Sequence, residues 1–184
     1  MLNIQKASKE FIQYSKKFDL EDENINNKQA HSIRVMHICE KIGKEMNLNK
    51  EEIQVAKLIG LLHDIGRFEQ YKKCKTYIDR ESFDHGDYGE TLLKENNFIE
   101  KFIDDKKYIK IILKAVKNHN KYKIEDDMNE EELKYVRLIR DADKIDILYE
   151  AVNIFWNSKE EKEKMENSTI SQEVKEEFFQ EVNI

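Results

Sequence analysis

A chain of 184 residues with 0 prolines and 5 glycines lacks nearly all the punctuation that many-stranded folds need at their turns. Much of its fill is Lys, Glu, Ile, Leu and Asn, and most of these suit amphipathic helices with solvated outer faces. The expectation is an all-α fold. The length suits one domain with a real core and is short for two.

The net charge of −6 argues against a nonspecific grip on nucleic acid or on an anionic membrane, and stable nucleic-acid binding is not expected. A small phosphorylated partner stays compatible, because one local cationic patch suffices for it. Cys39 and Cys74 match no CxxC metal or redox motif, and two such thiols fit a reducing compartment. The opening MLNIQKASKEFIQ has no apolar signal core, and no apolar run approaches membrane-spanning length. The chain therefore reads as cytoplasmic.

Ile4, Phe11 and Phe18 recur at helical spacing and predict a first helix, followed by a polar loop at EDENINNK. A second helix is expected over 28–46. The third has the clearest start: Asn49 as N-cap, Glu52 as its capping-box partner, and Leu48 with Ile53 as a hydrophobic staple. Val55, Ala56, Leu58, Ile59, Leu61 and Leu62 make this helix apolar nearly all round, so it should be the buried central one. Gly66 is expected to stop it in the left-handed conformation. Residues 67–84 read as loop or broken helix, with further helices over 85–95, 104–119 and 130–157. The run KEEKEKMEN reads as a solvated face or linker, and Val174, Phe178 and Val182 suggest a last helix. The implied organisation is an N-terminal helix and loop packing on the core over 1–27, a main helical domain over 28–157, and a charged linker with a C-terminal helix over 158–184.

His63 and Asp64 stand at the end of the most apolar helix, where two polar, metal-competent groups would be costly to bury unpaired. Helical phase brings other candidates inward. His31 is in register with Val35, Ile38 and Ile42, and His119 with Ile109, Ile112 and Val116. Asp143 follows Val136 and Ile139 and precedes Ile147, and His85 opens a helix whose inner side carries Tyr88 and Leu92. His37 is rotated away from the His31 face and reads as a surface residue. Taken singly, His85 or His119 could be a hydrogen-bonded core histidine, and Asp143 could pair with Arg140 or Lys144. Taken together, the inward polar groups are satisfied most simply by a shared metal ion.

The order His31, then LLHDIGR with His63 and Asp64, then RDADKID with Asp143, resembles the HD superfamily of metal-dependent phosphohydrolases over about 29–149. HSIRV, FDHGDYG and AVKNHNK are similar to the corresponding segments of its HDIG-containing subset. The resemblance implies a helical bundle of the HD type in which His31, His63, Asp64 and Asp143 ligate a first metal. It also implies a second metal on His85 and His119, with Asp64 bridging. Four histidines and two carboxylates suit Mn, Fe, Co, Ni or Zn rather than Ca. The chain has no GYP, no Glu-Asp pair after the HD segment, and a short length beside the large deoxynucleotide triphosphohydrolases, so the resemblance leaves the substrate open.

The implied activity is hydrolysis of a phosphate ester of a nucleotide or related small molecule, by water activated on one or two divalent ions. Asp64 would fix the ions and orient the water. Arg67, Arg80 and Lys144 are the candidates to bind phosphate, with surface cations as the plain alternative. Asp146 is a candidate leaving-group acid, and Asp84 or Asp87 would fix the outer ring nitrogens of the second pair of histidines. The rival class is an HD-type signalling or interaction module with a structural metal and no turnover, and such modules generally lose ligands. A nuclease is disfavoured by the acidic charge and the lack of a basic stripe.

Overall fold

The computed structural model describes residues 2–153 and residue 172, which are helical or irregular throughout with no strand among them. The expected helix end at 157, the charge run at 159–167 and the helix around Val174, Phe178 and Val182 lie outside the described residues. The chain divides into two compact units, Met1–Asp146 and Ile147–Ile184, and the site lies within the first.

The helices are α1 (Ile4–Ser15), α2 (Glu23–Glu45), α3 (Lys50–Leu62), α4 (Ile65–Cys74), α5 (His85–Lys94), α6 (Ile109–Asn118) and α7 (Glu130–Asn153). Short 3-10 turns fill Asp79–Glu81, Glu95–Lys101 and Lys106–Tyr108. The all-α expectation holds. α3 is the central helix, with Val55, Ala56, Leu58, Ile59, Leu61 and Leu62 all buried, and α1, α2 and α6 pack around it. Its start has both arms of the capping box: Asn49 accepts from the Glu51 and Glu52 amides, and Glu52 accepts from the Asn49 amide at 2.9 Å. Lys134 on α7 reaches Glu52 at 2.7 Å, and Tyr135, Val136, Leu138, Ile139 and Ala142 complete the core.

Three local expectations need correction. EDENINNK is not a loop, because Asp22 caps α2 through the Asn24 amide and Ile25 is buried, which carries the helix a turn and more earlier than its asparagines suggest. Residues 65–74 form a regular helix, α4, and only the segment between it and α5 is irregular. Gly66 is not a left-handed stop, since no glycine has a positive φ. It lies in the first turn of α4, where a Cβ would come 2.5 Å from the His85 carbonyl oxygen and 3.0 Å from the Gly89 nitrogen. Glycine is there because α4 and α5 cross backbone to backbone, and this crossing brings His85 against Asp64.

Candidate metal centre

The HD dipeptide occupies the break between α3 and α4. His63 closes α3 with helical φ and ψ, and Asp64 (φ −98, ψ 17) precedes α4 without capping it through its side chain. Its carboxylate turns inward instead and is almost wholly buried. α2 supplies His31, the first residue of α5 is His85, the residue closing α6 is His119, and α7 supplies Asp143. All four histidines are buried, Asp143 is 17% exposed, and His37 is exposed as expected. Tyr88 and Leu92 only flank the inner face of α5, which is made by His85, Gly89 and Leu93.

Each of the four rings is anchored through Nδ1 and presents Nε2 inward. His63 Nδ1 donates to the Gly60 carbonyl and His119 Nδ1 to the Val116 carbonyl, each at 2.7 Å. His31 Nδ1 meets Asp146 Oδ2 at 2.7 Å, and His85 Nδ1 meets Asp79 Oδ2 at 2.7 Å. A carbonyl accepts only, so it fixes the tautomer and leaves Nε2 as a lone-pair donor, as histidine ligands require.

The inward atoms fall into two groups that share Asp64. His31 Nε2 lies 3.1 Å from His63 Nε2, 3.1 Å from Asp143 Oδ1 and 3.5 Å from Asp64 Oδ2. His63 Nε2 lies 3.5 Å from Asp143 Oδ1 and 3.7 Å from Asp64 Oδ2. On the other side, Asp64 Oδ1 is 3.3 Å from His85 Nε2 and 3.5 Å from His119 Nε2, which are 2.9 Å apart. An ion with bonds of about 2.1 Å sets its ligand atoms roughly 3.0–3.4 Å apart, so both groups have the spacing of a coordination shell. His31, His63 and Asp64, and Asp64, His85 and His119, each form a buried triple able to hold an ion.

Electrostatics point the same way. Burial opposes the charge on Asp64, but the cations Lys28 and Arg67 outweigh it and hold its carboxyl well below the usual range. Burial likewise opposes Asp143, which the hydrogen bond from charged His31 holds low. Burial lowers His63, and it lowers His85 to about 4, so both rings are neutral and ready to ligate at pH 7. His31 is the exception: burial would lower it, but Asp143 and Asp146 raise it to about 9. A divalent ion bound beside His31 would take the place of that proton.

Several expectations change at the periphery. Asp146 is no free acid: Arg34 binds it in a fork, Nε to Oδ1 and an Nη to Oδ2 at 2.8 Å each, and its Oδ2 also holds His31. Asp79, not Asp84 or Asp87, orients His85, and His119 is fixed by a backbone carbonyl. Asp84 caps α5, and both it and Asp87 pair with Lys121. Arg140 does not pair with Asp143; it donates to the carbonyls of Asn118, His119 and Lys121 and so closes the end of α6 beside His119. Arg67 donates to Gln70, the Tyr77 carbonyl and Asp79, while its buried Nε stays unengaged 3.6 Å from Asp64 Oδ1. Arg80 and Lys144 are exposed.

Sequence reasoning missed Lys28, Asp79 and Gln70. Lys28 carried a signal, since it precedes His31 by one turn on the same face. Asp79 carried none, because the path of the segment after α4 decides where it lands. Buried Gln70 fixes that path through contacts to Asp79 at 2.9 Å, Ser82 at 2.8 Å and the Phe83 carbonyl at 2.9 Å. Replacing Asp79 by asparagine is expected to weaken metal binding about 10–100-fold at the His85–His119 pair alone. Titration with Mn or Zn into metal-free protein checks it, and two unchanged affinities would reduce Asp79 to a loop residue.

No helix among the described residues is long and apolar enough to cross a membrane. No curated protein and no solved structure matches the chain significantly. The HD domain family profile matches residues 29–148, which holds every donor described above. The chain belongs to the HD superfamily of metal-dependent phosphohydrolases.

Proposed function

We propose that this protein hydrolyses a phosphate ester of a nucleotide or related small molecule, using one or two divalent transition metal ions. The observation that carries the reading is the intact inward set of four Nε2 atoms with Asp64 and Asp143, each ring fixed from behind. An interaction module would have no need to keep every donor. The donor chemistry fits Mn, Fe, Co, Ni or Zn. Such ions supply a lowered pKa for water and charge neutralisation on phosphoryl oxygens.

The chain's own residues do the rest. Asp64 presents one oxygen to each donor group and so sets their separation. Asp146 and Asp79 hold His31 and His85 against rotation. The buried, close-packed walls keep bulk water from the donors, which strengthens every charge interaction there. Arg67, beside Asp64, and exposed Arg80 and Lys144 are the phosphate contacts of this reading. With an acidic surface and two free cysteines, we place the protein in the cytoplasm.

Purified protein stripped of metal and reloaded with each ion, screened against nucleoside mono-, di- and triphosphates and cyclic nucleotides, tests the proposal. Metal-dependent phosphate release is the expected result. Tight metal binding with no turnover on any ester would replace it with the module reading.

A further inference from the structure

The cations around the centre differ in what balances them. Arg34 is matched by Asp146, Arg67 by Asp79, and Arg140 by the carbonyl end of α6. Lys28 is matched by Asp64 alone, Nζ to Oδ2 at 3.2 Å, and Asp64 is the carboxylate that both donor groups share. Once its two oxygens face ions, Asp64 no longer serves as Lys28's counter-charge. Lys28 then stands at the rim of the centre, its side chain 20% exposed, with an ammonium whose natural partner is an anion from outside.

Its position is built. Tyr77 lies under the ammonium, 5.4 Å from Nζ to the ring centroid, and donates its hydroxyl to the Asn24 carbonyl at 3.0 Å. Tyr71 packs on Tyr77 at 4.9 Å between ring centroids and accepts from Asn24 Nδ2 at 2.8 Å. The segment after α4 is thereby tied to the first turn of α2, one turn above Lys28, and the flexible lysine stem is held between a ring face and the donors.

We propose that Lys28 binds the phosphoryl group of the substrate and selects a terminal, doubly charged phosphate over a singly charged diester. The inference rests on the phosphohydrolase reading and narrows its substrate to monoesters and terminal phosphates. A fixed positive charge in a partly desolvated rim acts more strongly on a dianion than on a monoanion, and a monoester is largely dianionic at pH 7.

Inorganic phosphate, titrated calorimetrically into metal-loaded protein, is the direct probe. K28M should weaken its binding about tenfold or more, the usual cost of losing a hydrogen bond to a charged group, with metal content unchanged. Para-nitrophenyl phosphate should show a raised KM in K28M, bis(para-nitrophenyl) phosphate a much smaller change, and K28R should restore most of both losses. Equal phosphate affinity in K28M and the parent overturns the proposal. So does a loss of metal in K28M, which would make Lys28 only a structural counter-ion of Asp64. If the parent binds phosphate through Lys28 but cleaves neither these esters nor any nucleotide of the panel, the hydrolase reading falls and the phosphate site stands. If it cleaves esters indifferently to Lys28, only this inference falls.

Discussion

Asp64→Ala is expected to strip the protein of most of its metal and to lower metal-dependent phosphoesterase activity by at least about a hundredfold, more than the loss of an outer partner of a ligand costs. Asp64 is the one residue with an oxygen in each donor group, at 3.5 Å from His31 Nε2 and 3.3 Å from His85 Nε2. Removing it leaves His31, His63 and Asp143 on one side and two histidines on the other. Asp64→Asn is the sharper variant, because it keeps the shape and replaces an anionic bridge by a neutral amide with one good acceptor. Circular dichroism should show the helices intact in both, since α3 and α4 are held by their apolar faces and not by this side chain. An Asp64→Asn protein that is folded, retains its metal and turns over like the parent would remove Asp64 from the reacting centre.

Helical phase made most of the centre legible. His31, His119 and Asp143 share stripes with residues that are buried or half-buried, and the structure puts their donor atoms together. The stripe through Asp143 ends there, because Ile147 is about half exposed, so phase located the aspartate but overran it by one turn. Phase works for these residues because each rides a helix whose apolar face has only one way to be buried. It fails for Asp79, which sits on a 3-10 turn and reaches His85 only because Gln70 and Arg67 fold the segment back.

The misread glycine has a similar cause. Gly66 after a helix suggested a left-handed cap, but glycine answers two needs, a positive φ or a close backbone approach, and one sequence does not say which. Here the second applies, and it concerns the partner helix α5, which lies far along the chain. The early start of α2 is a tertiary override. Asparagines disfavour helix interiors locally, yet the Asp22 cap and the burial of Ile25 outweigh them. Asp146 was read as a candidate leaving-group acid and not as a partner of Arg34 and His31, since periodicity places residues on faces without pairing them.

Elemental analysis of protein loaded with Mn or Zn is expected to give about two equivalents, falling to about one in a His85→Ala/His119→Ala double variant. The separation of the donors motivates the number. His31, His63 and Asp143 gather around Asp64 Oδ2, whereas His85 and His119 gather around Oδ1, and a carboxylate turned this way would be placed to bridge two ions. A one-ion site would need only the first group, and nothing would then require two more rings, each fixed behind through Nδ1, to present their Nε2 atoms 2.9 Å apart in a buried cleft. Two rings held from behind through Nδ1, with their Nε2 atoms turned on one another this closely, are accommodated most simply by a cation between them. Glutamine at both positions fills most of the lost volume and serves as the folding control. The metal bound by either variant should still raise the melting temperature, because the first group is untouched and any ligand of the folded state stabilises it. One equivalent in parent and variants alike would overturn the binuclear centre and leave the His31–His63–Asp64–Asp143 site as the sole metal. Loss of both equivalents in the glutamine variant would show instead that the two groups bind as one unit.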